Sequence, residues 1–332
     1  MAKVPVLVTG GAGYIGSHAV LALRDAGWDV SVIDDLSSGS RSVVPPAVPF
    51  HEGNIADRAL VERIIGERGI GAIMHFAGSI IVPESVERPL EYYRNNTLAS
   101  HALLSAAVGK GVPHFVFSST AAVYGAPEQV PISEGDPTKP INPYGASKLM
   151  TEWMLRDAAA AHPINYAALR YFNVAGADPG RRSGQMGKGS THLIKVAVEA
   201  ATGKRDHVDV FGNDYPTPDG SCIRDYIHVS DLADAHVRAL ERLIEKPDEN
   251  LILNCGYGHG LSVLDVLDTL DSMLDTPIHR QLKPRRAGDP AQLVSANQAI
   301  RETLGWEPRF ADIRTIVGDA LAWERHLQEI AA

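Results

Sequence analysis

Cysteine is nearly absent: Cys222 and Cys255 are the only two in 332 residues. A disulfide framework and a Cys-x-x-Cys metal site are both excluded, and a reducing, cytoplasmic setting is expected. Aromatic residues are sparse as well, at 6%. No run of lysine and arginine interrupts a formal charge of −9, which argues against a nucleic-acid-binding face. No apolar run is long enough to span a membrane, and the one nearest the start reaches glycine too soon for a signal peptide. The 13 histidines form no His-x-x-x-His pair, so no metal is expected. Internal repeats and low-complexity tracts are missing. An anionic ligand of so acidic a chain must be held by individual arginines, since no global field draws it in.

Glycine, by contrast, is concentrated in one place. The apolar run Val4–Thr9 meets Gly10, Gly11, Gly13 and Gly16, and a helical pattern follows through Ile15, Ala19, Leu23 and Ala26. A strand, a turn without side chains and a helix start together make a seat for a pyrophosphate. The backbone approaches the phosphates closely, and the helix N-terminus supplies N–H donors and partial positive charge. Asp34 and Asp35 close the next strand, Asp29–Ile33, near the offset at which a carboxylate meets the adenosine ribose. A carboxylate there selects NAD, because it would repel the extra phosphate of NADP. Arg41 stands beyond the turn-rich Ser37, Ser38, Gly39 and Ser40.

Apolar runs 73–76, 115–117 and 167–169 alternate with helical patterns near 57–67, 89–108 and 143–161. This alternation implies an α/β fold, a Rossmann-type doubly wound parallel sheet. The texture changes near Tyr171. The expected division is a dinucleotide-binding domain over 1–170 and a smaller substrate-binding lobe over 171–332, partly interleaved with the first. Further helical patterns cover 192–202, 229–246, 262–274 and 312–326. The polar, glycine-rich segment Asp178–Ser190 reads as a loop or a flap over a ligand.

Tyr144 and Lys148 stand four apart behind Asn142, a good N-cap, and Pro143, a good first helical residue. Both side chains should lie on one helix face, where an ammonium would lower the phenol's pKa and make it a base. Ser118-Ser119-Thr120 ends a strand about two dozen residues earlier. A hydroxyl there completes a tyrosine–lysine–hydroxyl proton relay.

At this point the chain resembles the extended short-chain dehydrogenase/reductases, and among them the sugar-nucleotide 4-epimerases. The resemblance runs nearly the full length. It rests on the glycine turn through His18, on 75–78, 89–93, 117–120 and 123–125, and on Tyr144-Gly145-x-Ser147-Lys148 and 169–173. Two segments are closest to the epimerases, Phe211-Gly212-Asn213-Asp214-Tyr215-Pro216-Thr217 and Arg224-Asp225-Tyr226-Ile227-His228-Val229.

The resemblance implies tightly held NAD, a UDP-sugar substrate and interconversion of UDP-glucose with UDP-galactose through a 4-keto sugar. Tyr144 would be the base, Lys148 would tune its pKa and hold the nicotinamide ribose, and Thr120 would bond the 4-oxygen. Gly10, Gly13, Tyr14, Ile15 and Gly16 would meet the pyrophosphate. The residues from Asp34 through Asp35, Leu36, Ser37, Ser38 and Gly39, with Asn54 and Ile55, would surround the adenosine. Phe76, Ala77, Gly78, Asn95 and Phe172 would line the cofactor. Asn173, His192, Leu193, Asp209, Val210 and Phe211 would contact the sugar nucleotide, with Arg224 and Arg286 on its diphosphate and Asp289 on the uridine ribose.

Three positions depart from the resemblance. Ile80 stands where a lysine is expected against the cofactor phosphates, Asn54 where an aspartate is, and Gln292 near where a tyrosine bounds the sugar pocket. UDP-pentoses and UDP-N-acetylhexosamines therefore stay open as substrates. A 4,6-dehydratase is opposed by Ala121-Ala122, which follow Thr120 and carry no acid or base. A non-catalytic NAD-binding protein is opposed by the intact Thr120, Tyr144 and Lys148. The family also implies a homodimer, paired through helices near 89–108 and 143–161.

Overall fold

The computed structural model describes residues 3–186, 190–286 and 289–331. Six strands arise before residue 172: β1 (Val6–Thr9), β2 (Val30–Asp34), β3 (Phe50–Glu52), β4 (Ala72–His75), β5 (His114–Thr120) and β6 (Asn165–Tyr171). They pair in parallel in the order β6-β5-β4-β1-β2-β3, and Leu251–Cys255 joins beside β6 as a seventh. All residues of β1, β2, β4, β5 and β6 are buried, as strands covered on both faces must be.

Alternate residues feed two cores. Val6, Val8, Val30 and Val32 join Val20 and Leu23 of the helix Tyr14–Asp25 and Leu232 and Leu240 of the helix Val229–Glu245. Leu7, Ile33, Ile73, Phe115 and Phe117 face the other way, onto Ile64, Leu103 and Leu155 of the helices Arg58–Arg68, Ala99–Gly109 and Pro143–Ala161. Strand order reverses between β1 and β4, which opens a crevice at the carboxyl ends of the strands.

The seventh strand and the helix Val229–Glu245 show how far the second half enters the first. What remains is built from strands of two to four residues. Asn173–Ala175 pairs with Tyr226–His228, Ile223–Arg224 with Leu261–Ser262 and Gln292–Leu293, and Val208–Phe211 with Arg280–Lys283. The helices Arg58–Arg68, Pro143–Ala161, Leu193–Ala201 and Val229–Glu245 lie within a residue or two of their sequence-based bounds. By contrast, Val263–Asp271 ends three residues short of the expected 274, and Ile313–Ala331 runs five past the expected 326. The stretch read as one helix over 89–108 is three: Pro89–Tyr92, a π-helical turn over Tyr93–Leu98, and Ala99–Gly109. Part of the 178–190 loop, residues 187–189, lies outside the described residues. Among those described, no helix is long and apolar enough to cross a membrane.

Five of the described histidines are buried in this framework, His18, His75 and His236 among them. His75 is held by Thr9 Oγ1 at 2.7 Å and Ser100 Oγ at 2.8 Å, and burial, with Lys148 nearby, lowers its pKa to about 3. Burial also takes His18 and His236 down to about 4. Below the ordinary histidine value the unfolded chain binds these protons and the fold does not, so stability falls as pH falls. The urea midpoint is expected to drop between about pH 7 and about pH 5, and less steeply in His75→Asn. Equal slopes in the two proteins would rule His75 out as a source of the effect.

Candidate active site

The glycine turn is built by contacts that no side chain survives. Gly10 has φ +68°, and a Cβ there would stand 2.6 Å from the Ala77 amide nitrogen. A Cβ on Gly16 would stand 2.1 Å from the Gly10 carbonyl oxygen. The following helix is capped at Gly13 with no side chain on its first amides, so these remain open to an anion.

Asp34 is buried, and its carboxylate accepts the Ala12 amide at 2.9 Å and the Leu36 amide at 2.8 Å. Burial raises its pKa, and the two amides pull it back. The same bonds tie the end of β2 to the glycine turn and aim the carboxylate at the crevice. Asp35 accepts from the Asn54 amide at 2.9 Å, where an aspartate would repel it. Arg41 donates to the Val44 carbonyl at 2.7 Å and lies 4.8 Å over the Phe50 ring, outside the cleft lining. That placement fits a site without a 2′-phosphate.

The crevice is a cleft of about 970 Å³. Of the expected cofactor residues, Gly10, Gly13, Tyr14, Ile15, Gly16, Asp34, Asp35, Ser37, Ser38, Asn54 and Ile55 line one end. Phe76, Ala77, Gly78, Asn95 and Phe172 line its middle, and Thr120, Tyr144 and Lys148 the floor. Asn173, His192 and Leu193 continue the wall beyond them. Leu36 packs on the core, and Gly39 seats its loop on Ala12, so neither lines the cleft.

Asn142 caps the helix Pro143–Ala161 by accepting the Gly145 amide at 2.9 Å. A Cβ on Gly145 would stand 2.5 Å from the Ala122 carbonyl oxygen, so the helix closes directly on the turn after Thr120. The Thr120 hydroxyl lowers the pKa of the Tyr144 phenol, but loss of solvent around the phenol outweighs it and leaves the value raised. Lys148 Nζ is engaged elsewhere, donating to the Ser118 carbonyl at 3.1 Å and lying 5.1 Å over the Phe117 ring. Burial lowers its own pKa to about 8.

Sequence reasoning missed two groups of residues behind this floor. Asn96, inside the π-helical turn, accepts the Ser79 amide at 2.7 Å and donates to the Ser79 carbonyl and Ser147 Oγ, each at 3.0 Å. The turn is the only signal, and the sequence pattern through 89–108 hides it. Glu152, two helical turns beyond Tyr144, pairs with Arg170 of β6 at 2.9 and 2.6 Å and accepts from Ser119, the neighbour of Thr120.

The remaining expected substrate residues lie outside the cleft lining, in a second cluster. Arg286 stacks 3.7 Å over the Phe211 ring, and Arg224 stands 3.8 Å from Asp289. Asp209 faces His207 and Lys283, and Val210 is buried. Asp225 is no surface partner of Arg224. It is fully buried and accepts the amides of Tyr257, Gly258 and Ser295, which hold the strand carrying Arg224 in place.

A dinucleotide cleft that ends on a half-buried tyrosine beside a buried lysine and threonine defines a nicotinamide-dependent enzyme of the doubly wound class. The chain belongs to the NAD dependent epimerase/dehydratase family, whose model matches residues 6–256. A UDP-glucose 4-epimerase from Azospirillum brasilense is 57% identical over 98% of this chain and 93% of its own length. Among solved structures, UDP-glucose-4-epimerase from Stenotrophomonas maltophila, with bound NAD and formylated UDP-arabinopyranose, is 37% identical. It superposes with a TM-score of 0.95 over 99% of this chain and all of that one. The Brucella ovis UDP-glucose 4-epimerase, in complex with NAD, is 42% identical with a TM-score of 0.93 over 97% and 98% of the two chains.

Proposed function

We propose that the chain interconverts UDP-glucose and UDP-galactose with NAD held throughout. The observation that carries this reading is the meeting of Tyr144, Thr120 and Lys148 in the dinucleotide cleft, with only Ala121 and Ala122 following Thr120. One phenol and one hydroxyl serve a single carbon, and an elimination would need a further acid and base there.

NAD in the cleft supplies the hydride acceptor and donor. Tyr144 takes the proton of the sugar 4-hydroxyl while Thr120 fixes that oxygen. Because burial holds the phenol up, the base form needs a neighbouring positive charge, and Lys148 is the buried cation one turn away. The keto sugar turns about its diphosphate and takes the hydride back on the opposite face, with the Tyr144 proton returning to oxygen. Arg224, Arg286, Asn173, His192, Leu193 and Phe211 hold the nucleotide, and Asp289 and Asp209 the uridine side. The turning sugar needs an anchored diphosphate, and the Arg224 and Arg286 guanidinium groups suit one. Residues 1–170 act as the cofactor half and 171–332 as the substrate half.

Purified protein incubated with UDP-galactose and no added NAD is expected to yield UDP-glucose. No conversion, with or without NAD, together with turnover of UDP-arabinopyranose, would assign a UDP-pentose instead. The pentose reading draws on the ligand in the Stenotrophomonas structure.

The protein is further proposed to work as a homodimer in the cytoplasm. Leu90, Leu98 and Trp153 are large, exposed apolar residues on the two helical stretches expected to pair, and Leu90 is 80% exposed. Both cysteines are buried free thiols, compatible with a reducing compartment. Sedimentation is expected to give a dimer at micromolar concentration and a monomer for Leu90→Arg. A monomeric wild type would refute the pairing.

A further inference from the structure

The charges that line the cleft present a difficulty for any dinucleotide. Among the described residues, Asp34, Asp35, Glu84, Glu91 and Glu324 face four cations, Arg88, Arg94, Lys148 and Lys195. Three of these cations are already engaged. Arg88 bonds Glu91 at 2.7 Å and lies 3.4 Å from Glu84. Lys195 meets Glu324 at 2.5 Å and Glu199 at 3.4 Å, and Lys148 sits on the floor against the Ser118 carbonyl. Arg94 differs. No carboxylate among the described residues pairs with it, and its one side-chain hydrogen bond is a long 3.5 Å contact from Nε to Asn95 Oδ1.

Its position matters as much as its freedom. Asn95, the next residue, donates to Ser79 Oγ at 3.2 Å, and Asn96 clamps both backbone groups of Ser79. Ser79 continues the Ala77–Gly78 segment, which abuts Gly10 so closely that a Cβ there would stand 2.6 Å from Ala77. Arg94 therefore stands at the edge of the lip that closes over the glycine turn. Ile80, on the same lip and 50% exposed, brings no charge.

We infer that Arg94 is the side chain that neutralises the NAD pyrophosphate. The inference rests on the reading of this cleft as the cofactor site. The guanidinium leaves its weak contact with Asn95 and takes phosphate oxygens seated on the glycine turn, a pairing suited to its planar fork. The helix N-terminus supplies only about half a positive charge, and a diphosphate carries more than that can offset.

The test uses holoenzyme as purified, in four forms: wild type, Arg94→Gln, Ile80→Lys and the double variant. NAD lost from desalted protein is followed over time at low and at high salt. Arg94→Gln is expected to release NAD about tenfold faster at low salt, the scale of one lost charge-assisted bond. At about 1 M salt, where screening acts within about 3 Å, the gap should narrow. Ile80→Lys in the Arg94→Gln background should restore retention. Equal release by wild type and Arg94→Gln at every salt concentration overturns the inference. So does a defect that salt leaves unchanged and Ile80→Lys does not repair, because it would mark a structural role. A wild type that holds no NAD defeats the cofactor reading itself.

Discussion

Tyr144→Phe is expected to lower the turnover of UDP-galactose by about 10²- to 10⁴-fold, the range that a positioned acid–base group contributes. Phenylalanine keeps the half-buried ring in place and deletes only the phenol oxygen. NAD retention should therefore be unchanged, and the loss should fall on kcat. The pH profile carries the same signature. Burial keeps the phenol protonated at neutral pH, so the wild-type rate should rise as the solution becomes alkaline, until Lys148 gives up its proton near its lowered value of about 8. In Tyr144→Phe the residual rate should lose the rise that belongs to the phenol. A variant that turns over UDP-galactose at the wild-type rate would remove Tyr144 from the mechanism.

The second large effect lies behind the floor. Glu152 and Arg170 form a two-pronged pair with side chains 2% and 5% exposed, and Arg170 also donates to the Tyr124 hydroxyl at 3.0 Å. Removing one partner leaves the other charged and dry, at a cost of about 3–5 kcal/mol. Glu152→Met or Arg170→Met alone should lower the urea midpoint strongly, and the double variant should recover much of the loss, because apolar replacement of both ends relieves the desolvation. The pair fastens the helix that carries Tyr144 and Lys148 to β6 and, through Ser119, to β5 beside Thr120. The double variant should therefore recover more stability than turnover. Single variants as stable as the wild type would show that the pair adds nothing to the fold.

The features that were legible in the sequence are those whose signal is local. The glycine turn, Asp34 and the Tyr144–Lys148 spacing each lie within one strand–turn–helix unit, where a period of two gives way to one of 3.6. The two-sided burial of β1 follows in the same way from Val6, Leu7 and Val8, which divide between the two cores. What escaped depends on distance or on a break in period. Glu152 and Arg170 are 18 residues apart and meet only once β5 and β6 are paired. Asn96 reaches Ser79 because the π-helical turn rotates it, and no propensity announces that turn. Strands of two residues, such as Ile223–Arg224 and Gln292–Leu293, are too short to carry a pattern. Spacing places an ammonium near the Tyr144 phenol but says nothing of the burial that raises the phenol's pKa, nor of the Ser118 carbonyl that the ammonium meets.

The seventh strand has a consequence for the birth of the protein. As synthesis proceeds from the N-terminus, β6 emerges with one edge paired to β5 and the other bare. That edge is covered only when Leu251–Cys255 leaves the ribosome, and until then the nascent sheet offers unpaired amides and carbonyls to any neighbouring chain. The helix Val229–Glu245, which shields one face of the same sheet, emerges just ahead of that strand. The sheet begun by the first 171 residues is thus completed only by a strand from beyond residue 250, and a ribosome that stalls between residues 171 and 250 would release a sticky fragment.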